Sequence, residues 1–284
     1  MEHNHIHLYN IQGGIKKAQI GFRRMIILGI FAGIFIAVGA ETSSIAAHNI
    51  TDVGTARLIT GLIFPVGLMM TVLTGSELFT GNCMMSMALA DRKITLIQML
   101  RNLVIVFFSN MIGTLIVVLL VFFSCQYDYS DGGLGAYTIK IAMDKTGLEF
   151  SEALFSGILC NILVCIAVLV AGAAKDVVGK VMAVFFPIMA FVVSGMEHSI
   201  ANMYYIPAGL FAATDSRYID KACELYGYTS EQIRSQLTVG HYFTDNLIPV
   251  TIGNIIGGAV IVGLGFYAVV TLEGKEKREA EENK

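Results

Sequence analysis

The sequence is poor in charge, in proline and in paired cysteine, and it contains no tryptophan. Lys, Arg, Asp and Glu make up 14% of its 284 residues, well below the roughly 25% of an ordinary soluble domain. The net charge of −3 and the lack of a basic stripe exclude nucleic acid as a partner. Without a C-x-x-C pair, the sequence predicts no metal centre and no cofactor. The cysteines are interpreted as small apolar core residues: Cys83, Cys125, Cys160, Cys165 and Cys223.

Apolar residues dominate what is present. They make up 55% of the chain, and the mean hydropathy is +0.67, as is typical of a protein embedded in a lipid bilayer. Stretches of about 20 apolar residues predict an all-α membrane protein, in a single transmembrane domain that covers residues 1–284. Six spans are predicted, of which the second and fifth are interrupted, near residues 25–47, 57–90, 101–124, 151–174, 180–211 and 241–271.

Positive charges are distributed unevenly between the segments that join these spans. If the N-terminus is cytoplasmic, 13 of the 19 Lys and Arg residues lie on the cytoplasmic side. This bias predicts that both termini are cytoplasmic. The protein is expected to lie in the inner, or plasma, membrane as a multi-pass protein.

One short phrase occurs twice. Residues 75–82 and residues 195–202 both read G-x-E-x-x-x-x-N, and each copy falls inside an interrupted span. A longer match at constant spacing relates residues 102–113 to residues 246–257. Polar groups and irregular backbone inside a membrane are tolerated only where they line a cavity. The repeated phrase therefore indicates a pore.

A weaker match, between residues 29–34 and 157–162, extends the repeat to the first span of each half. The chain is thus predicted to contain two related halves, near residues 25–124 and 151–271. Because each half has three spans, the second half would be inverted relative to the first, and the broken spans would meet near the middle of the membrane.

Carboxylates and amides recur at both breaks. We expect Glu77 and Glu197 to accept hydrogen bonds from backbone N–H groups that the interrupted helices leave free. The amides at and near the breaks are expected to bridge backbone groups: Asn82, Asn110, Asn202 and Asn254. Of these, Asn202 and Asn254 are expected to lie closest to the path.

The two copies differ at two chemically important positions. His198 follows Glu197 in the second copy, and an ionisable group at a membrane helix break indicates function, although a structural histidine is the alternative. Thr80 has Ile200 as its counterpart, and its hydroxyl could donate a hydrogen bond to an anion or merely bond back to its own helix. Apolar residues near the breaks are candidates for a constriction: Phe64, Leu68, Leu78, Phe79 and Phe191.

Three short runs and one lysine form a recognisable set: E-L-F-T at residues 77–80, Lys145, E-H-S-I-A-N-M at residues 197–203 and N-L-I-P-V-T-I-G-N at residues 246–254. This set resembles the formate/nitrite transporter family, which includes formate, nitrite and hydrosulfide channels. The resemblance covers nearly the whole chain. It implies an aquaporin-like fold of six helices, assembled as a homopentamer with one pore in each protomer. Its general character favours the hydrosulfide branch, with formate next.

The resemblance also implies roles for single residues. His198 would be the central pore histidine, Thr80 would face it as a hydrogen-bond donor, and Lys145 would draw anions into the vestibule. Apolar constrictions would come from Leu68, Phe79 and Phe191, with Leu78 beside them, and Asn161 and Asn202 would brace the central site.

The sequence thus predicts a channel for small monovalent weak-acid anions. Either His198 protonates the anion, or the anion passes unprotonated and is held by Thr80. A neutral-solute pore of the aquaporin type is the alternative, although the paired N-P-A signature of such pores is absent. An intramembrane enzyme that uses His198 and Glu197 ranks below both, because no nucleophile or metal-ligand cluster accompanies them.

Overall fold

The computed structural model describes residues 3–272, and all regular secondary structure in that range is helical. The C-terminal residues 273–284, predicted to be cytoplasmic, lie outside the described range. In chain order the helices are α1 (His3–Ala18), α2 (Phe22–Ala47), α3 (Val53–Ile63), α4 (Val66–Thr74), α5 (Phe79–Asn82), α6 (Ser86–Ala90), α7 (Leu96–Phe123), α8 (Gly133–Thr146), α9 (Phe150–Ala173), α10 (Val177–Val193), α11 (Ser199–Ala212), α12 (Ser216–Tyr226), α13 (Ser230–Gln236), α14 (Val239–His241) and α15 (Ile248–Ile255).

Five helical runs within residues 3–272 are long and apolar enough to cross a membrane. They are α2, the run Val53–Thr74 that joins α3 and α4, α7, α9, and the run Val239–Leu272 that includes α14 and α15. The predicted fifth span consists of two shorter helices, α10 and α11, each below the roughly 20 residues that a membrane helix needs.

Both interrupted spans break at a glycine in the left-handed conformation. Gly75 follows α4 and Gly195 follows α10, and each has a φ of 68°. This conformation is costly for residues with a Cβ atom, so glycine allows the chain to leave the helix abruptly. Non-helical backbone continues through His198 before α11 begins at Ser199, and through Leu78 before α5 begins at Phe79.

Glycines also bring the unbroken helices close together. A Cβ atom on Gly113 of α7 would lie 2.1 Å from the carbonyl oxygen of Ile30 on α2. A Cβ atom on Gly257 would lie 2.3 Å from the carbonyl oxygen of Ile158 on α9. Such contacts between backbones are typical of small residues at membrane helix interfaces. They hold Asn110 of α7 and Asn254 of α15 within reach of the breaks.

The interpretation of all cysteines as core residues is wrong for two of them. Cys83, Cys160 and Cys165 are buried, but Cys125 is exposed and Cys223 is only partly buried. The physical reason is position: Cys125 follows the end of α7 and Cys223 lies in α12, both outside the apolar spans.

Candidate functional site

The two breaks meet through one hydrogen bond. The Oγ1 atom of Thr80 lies 2.9 Å from the Nε2 atom of His198, although the residues are 118 positions apart. Both side chains are buried. The two residues that distinguish the copies of the repeat are therefore in direct contact.

The surroundings of His198 fix its tautomer. His198 is the residue before α11, and its Nδ1 atom accepts the backbone N–H of Ala201 at 3.1 Å. An acceptor nitrogen carries no proton, so in the neutral ring the proton lies on Nε2 and is donated to the Thr80 oxygen. The hydroxyl proton of Thr80 then has no acceptor among the described residues and is free for a ligand.

A carboxylate cluster supports the first break. The Glu77 carboxylate accepts hydrogen bonds from the Asn82 amide at 2.7 Å and from the Lys17 ammonium at 2.8 Å. The Asn82 amide also donates to Asn102 at 2.7 Å, and Asn102 donates to the Lys17 carbonyl at 3.2 Å. The cluster thus ties the end of α1 and the start of α7 to the break.

The second break has the same cluster with nearly equal distances. The Glu197 carboxylate accepts from the Asn202 amide at 2.6 Å and from the Lys145 ammonium at 2.8 Å. Asn202 also donates to Asn246 at 2.7 Å, and Asn246 donates to the Lys145 carbonyl at 2.9 Å. Equivalent residues of the two halves therefore form equivalent bonds.

A second amide in each half satisfies the backbone of the break. Asn110 accepts the N–H of Phe79 at 3.0 Å and donates to the carbonyl of Glu77 at 2.9 Å. Asn254 accepts the N–H of Ser199 at 2.9 Å and donates to the carbonyl of Glu197 at 3.1 Å. These amides replace hydrogen bonds that the interrupted helices cannot make.

The expectation for the glutamates is therefore wrong in detail. The freed backbone N–H groups bond to Asn110 and Asn254, whereas the Glu77 and Glu197 side chains accept from asparagine and lysine side chains. The reason is charge: a buried carboxylate needs a cation, and a lysine lies within reach of each.

Lys17 was not among the predicted site residues and counted only as one of the 13 charges on the cytoplasmic side. The weak match that aligns Gly29 with Gly157 carries the signal, because the same offset aligns Lys17 with Lys145. Lys145 itself is paired with Glu197, so its charge is locally compensated. This pairing weakens the field that Lys145 was expected to supply.

Two cavities approach the Thr80–His198 contact. The first, of about 610 Å³, is lined by Leu68, Leu78, Glu77 and Lys17. The second, of about 800 Å³, is lined by the residues Phe64, Phe191, Lys145, Glu197, His198 and Asn202. His198 lines the second cavity, whereas Thr80 is buried and lines neither cavity, although its sequence neighbours Leu78 and Gly81 line the first. The contact therefore lies behind the cavity walls, next to both cavities.

Four of the five predicted constriction residues line one of the two cavities, and Phe79 lines neither. Leu68 and Leu78 lie on the side of the first cavity. On the other side, Phe64 meets Phe191 edge to face with ring centroids 5.6 Å apart. The Phe191 ring stacks on His198 at 5.9 Å. Phe79 lines neither cavity and packs against Phe107 instead.

Helix α9 braces the Thr80 segment. The Asn161 amide donates to the Thr80 carbonyl at 3.3 Å and to the Asn254 carbonyl at 2.6 Å. The Cys165 thiol, one turn further along α9, donates to the same Thr80 carbonyl at 3.4 Å. Asn254 makes backbone bonds and lines neither cavity, so of the two amides expected nearest the path only Asn202 lies at a cavity wall.

Uncompensated positive charge collects at the first cavity. Lys16, Arg24 and Lys180 line it, and none of the three forms an ion pair within residues 3–272. In the second cavity Lys140 pairs with Asp144 and Lys145 pairs with Glu197, so Arg57 is the only lining Lys or Arg without an ion pair among the described residues. A cavity lined by unpaired cations concentrates small anions near its mouth.

Known proteins resemble this chain over most of its length. The family model described as "Formate/nitrite transporter" matches residues 4–268. The formate channel FocA of Escherichia coli (strain K12) is 37% identical over 269 residues, which cover 92% of each chain. A probable formate transporter of Methanothermobacter thermautotrophicus is 35% identical over 89% of this chain and 90% of its own length.

A solved structure shows a similar fold. The protein described as a pentameric formate channel with formate bound is 31% identical, has a TM-score of 0.77, and matches over 88% of this chain and 98% of its own. Family model, relatives and structure agree over most of the sequence, and the family consists of channels and transporters rather than enzymes. The chain is a multi-pass membrane protein and belongs to the formate/nitrite transporter family.

Proposed function

We propose that this protein is a channel for small monovalent weak-acid anions, with formate as the first candidate and nitrite and hydrosulfide as further ones. The observation that carries the proposal is the buried Thr80–His198 hydrogen bond next to two cavities. The relatives described as formate channels support formate in particular.

The proposed architecture is six membrane spans in one domain over residues 1–284. Residues 25–124 and 151–271 would form two inverted repeats of an aquaporin-like pore, with α10 and α11 together completing the fifth span. The equivalent hydrogen bonds at the two breaks support the repeat. An odd number of spans in each half supports the inversion.

We further propose a homopentamer in the inner membrane, with cytoplasmic termini. The similar structure described as a pentameric formate channel supports the assembly. The excess of Lys and Arg on one side of the spans supports the orientation.

In the proposed mechanism an anion passes two apolar walls and one polar contact. Leu68 and Leu78 narrow the path on one side, and Phe64 and Phe191 narrow it on the other. A bare charge between apolar side chains is costly, so a hydrogen-bond donor must compensate part of the lost hydration. The free hydroxyl proton of Thr80 is that donor, and Asn161 holds the Thr80 backbone in position.

His198 acts in this mechanism as a neutral donor that orients Thr80. To transfer an acid proton, His198 would have to be protonated on Nδ1 as well, which would displace the Ala201 N–H that Nδ1 now accepts. Protonation of the anion by His198 would thus break a hydrogen bond that passage of the unprotonated anion does not. Passage of the unprotonated anion beside Thr80 leaves every described hydrogen bond intact.

Anion flux into proteoliposomes tests the proposal. We expect uptake of formate, and Thr80→Val should reduce it by about 10- to 100-fold because one hydrogen bond to a charge is lost. Thr42→Val is the matched control, since Thr42 lies on an exposed face of α2 and bonds back to the Val38 carbonyl. Nitrite and hydrosulfide uptake in the same vesicles would rank the three anions.

The role of His198 is tested separately with His198→Asn. Asparagine can keep the helix cap to Ala201 and an N–H donor, but it does not titrate. We expect flux to persist with an unchanged pH dependence, whereas a lost pH dependence would support proton transfer by His198. Water or glycerol permeability above that of every anion would instead favour the neutral-solute pore.

A further inference from the structure

A buried acid lies outside the machinery described so far. Glu41 is in the membrane-length helix α2 and is 5% exposed. One carboxyl oxygen accepts the Tyr204 hydroxyl at 2.5 Å, and the other is buried without a hydrogen-bond partner among the described residues. An ionisable side chain inside a membrane span is expensive and indicates function.

The internal repeat shows that the scaffold does not require this pair. In the alignment that makes Lys17 equivalent to Lys145, the equivalent of Glu41 is Leu169. In the alignment of the two breaks, the equivalent of Tyr204 is Met84. Leu169 and Met84 are buried apolar residues. Apolar packing therefore suffices at these positions in one half, and the polar pair of the other half needs a separate explanation.

No cation compensates Glu41. Helices α3, α4, α7, α8 and α11 pack against α2, and the titratable side chains that interact electrostatically with Glu41 are Tyr127, Tyr204 and Tyr205. None of the other titratable or charged residues of those helices forms an ion pair with Glu41 in the described chain: Arg57, Arg101, Tyr137, Lys140, Asp144 and Lys145. A carboxyl in such surroundings retains its proton.

The acid is adjacent to a wall of the pore. Tyr204 lies two residues beyond Asn202 on α11, and the next residue, Tyr205, lines the second cavity. The Lys145 ammonium lies 5.3 Å from the centre of the Tyr205 ring. The Tyr204 and Tyr205 rings are in contact, with centroids 5.9 Å apart, so a negative charge on Glu41 would lie behind this pair of tyrosines.

We propose that Glu41 is a proton-binding site, that it is protonated in the conducting protein, and that its ionisation at alkaline pH reduces anion flux. The proposal rests on the proposed anion channel. No bond other than the O–H bond of the carboxyl forms or breaks, and the proton passes to solvent.

Formate flux measured from neutral to alkaline pH tests it, because formate itself does not change charge in that range. Wild-type flux should fall by roughly tenfold, because a new negative charge behind the wall of the second cavity repels the anion. Flux through Glu41→Gln should stay flat, since glutamine still accepts the Tyr204 hydroxyl and cannot ionise. Flux through Tyr204→Phe should fall only at higher pH, because the phenol no longer stabilises the carboxylate.

Tyr127→Phe is the matched control. Tyr127 lies within electrostatic range of Glu41, but its neutral hydroxyl donates to the Ala208 carbonyl and not to Glu41, so the wild-type profile should be kept. If Glu41→Gln follows the wild-type profile while both carry formate, the proposal is overturned and the channel function stands. If wild type carries no anion at any pH, the channel function itself fails.

Infrared spectroscopy provides a readout that does not depend on flux. The wild-type protein should show the carbonyl stretch of a protonated carboxylic acid at neutral pH and lose it at alkaline pH, with a later loss in Tyr204→Phe. This measurement also decides the matter if Glu41→Gln does not fold. Absence of the band at neutral pH would overturn the proposal.

Discussion

The two helix breaks have equivalent supporting residues but differ in the side chains at their centre. Lysine, glutamate and two asparagines form matching clusters, and both breaks start at a glycine with a φ of 68°. At the centre, His198 takes the place of Leu78 and Ile200 takes the place of Thr80. The duplicated polar groups bond to one another and to the backbone of each break, whereas the unduplicated Thr80 and His198 bond to each other and are the residues that we propose to meet the anion.

A third difference lies behind the breaks. In the first half Phe79 packs against Phe107, with ring centroids 5.0 Å apart. The equivalent residues in the second half are Ser199 and Thr251, whose buried hydroxyls have no hydrogen-bond partner among the described residues. One break is thus packed by aromatic rings where the other has two small polar groups.

The largest effect is expected from the backbone-binding amides. Asn110→Leu and Asn254→Leu each leave a buried N–H and two carbonyls without their partner, and each lost bond of this kind costs about 1–3 kcal/mol. We expect both variants to lose the folded protein to a similar extent. The measurement is the apparent melting temperature and monodisperse yield in detergent.

Equality of the two losses is the informative part. If Asn254→Leu unfolds the protein and Asn110→Leu does not, the two breaks depend on their amides to different extents. The first break would then be stabilised mainly by contacts other than its asparagine. Asn→Gln at each site serves as the control variant, since it keeps an uncharged amide that can both accept and donate hydrogen bonds.

A smaller and unequal effect is expected from the lysines. Lys145 has a side-chain exposure of 15% against 28% for Lys17, so its salt bridge to glutamate is less screened by water. Lys145→Gln should cost about 2 kcal/mol and Lys17→Gln about 1 kcal/mol, because each leaves a buried carboxylate without its cation. Melting temperatures in detergent rank the two.

Isosteric double variants provide the control for the lysines. Lys17→Gln with Glu77→Gln, and Lys145→Gln with Glu197→Gln, remove both charges and keep amide hydrogen bonds, so most of the lost stability should return. A double variant that is worse than its lysine single variant would show that the carboxylate has a role beyond charge pairing with lysine.

Much of this arrangement follows from local sequence. Apolar run lengths predict the helices, and the two glycines with the E-x-x-x-x-N pattern locate both breaks within a residue or two. Comparing the two copies singles out Thr80 and His198, because a repeat makes any departure from it visible.

Other features depend on residues distant in sequence and could not be predicted from the local sequence around each residue. Phe79 looks like a pore residue beside Leu78 and Thr80, but Phe107 of α7 provides an apolar surface that its ring packs against. The Glu77 partner Lys17 lies 60 residues away, in a segment whose charge also suits a cytoplasmic end. Tertiary contacts decide whether Phe79 lines a pore or packs against a helix, and whether Lys17 is a surface charge or an ion-pair partner. For Lys17 alone, the alignment of the two halves indicates the answer.

The smallest effect, with the opposite sign, is expected behind the second break. A buried hydroxyl without a partner costs stability, so Thr251→Val, which keeps the side-chain shape, should raise the apparent melting temperature slightly, by the equivalent of about 1 kcal/mol. The equivalent position in the first half responds with the opposite sign, because Phe107→Ala removes a partly buried ring that packs against Phe79 and should lower the melting temperature. Should Thr251→Val instead destabilise the protein, its hydroxyl must be hydrogen-bonded in the membrane. The second break would then have a polar cluster with no counterpart in the first, and the difference between the two breaks would extend beyond Thr80 and His198.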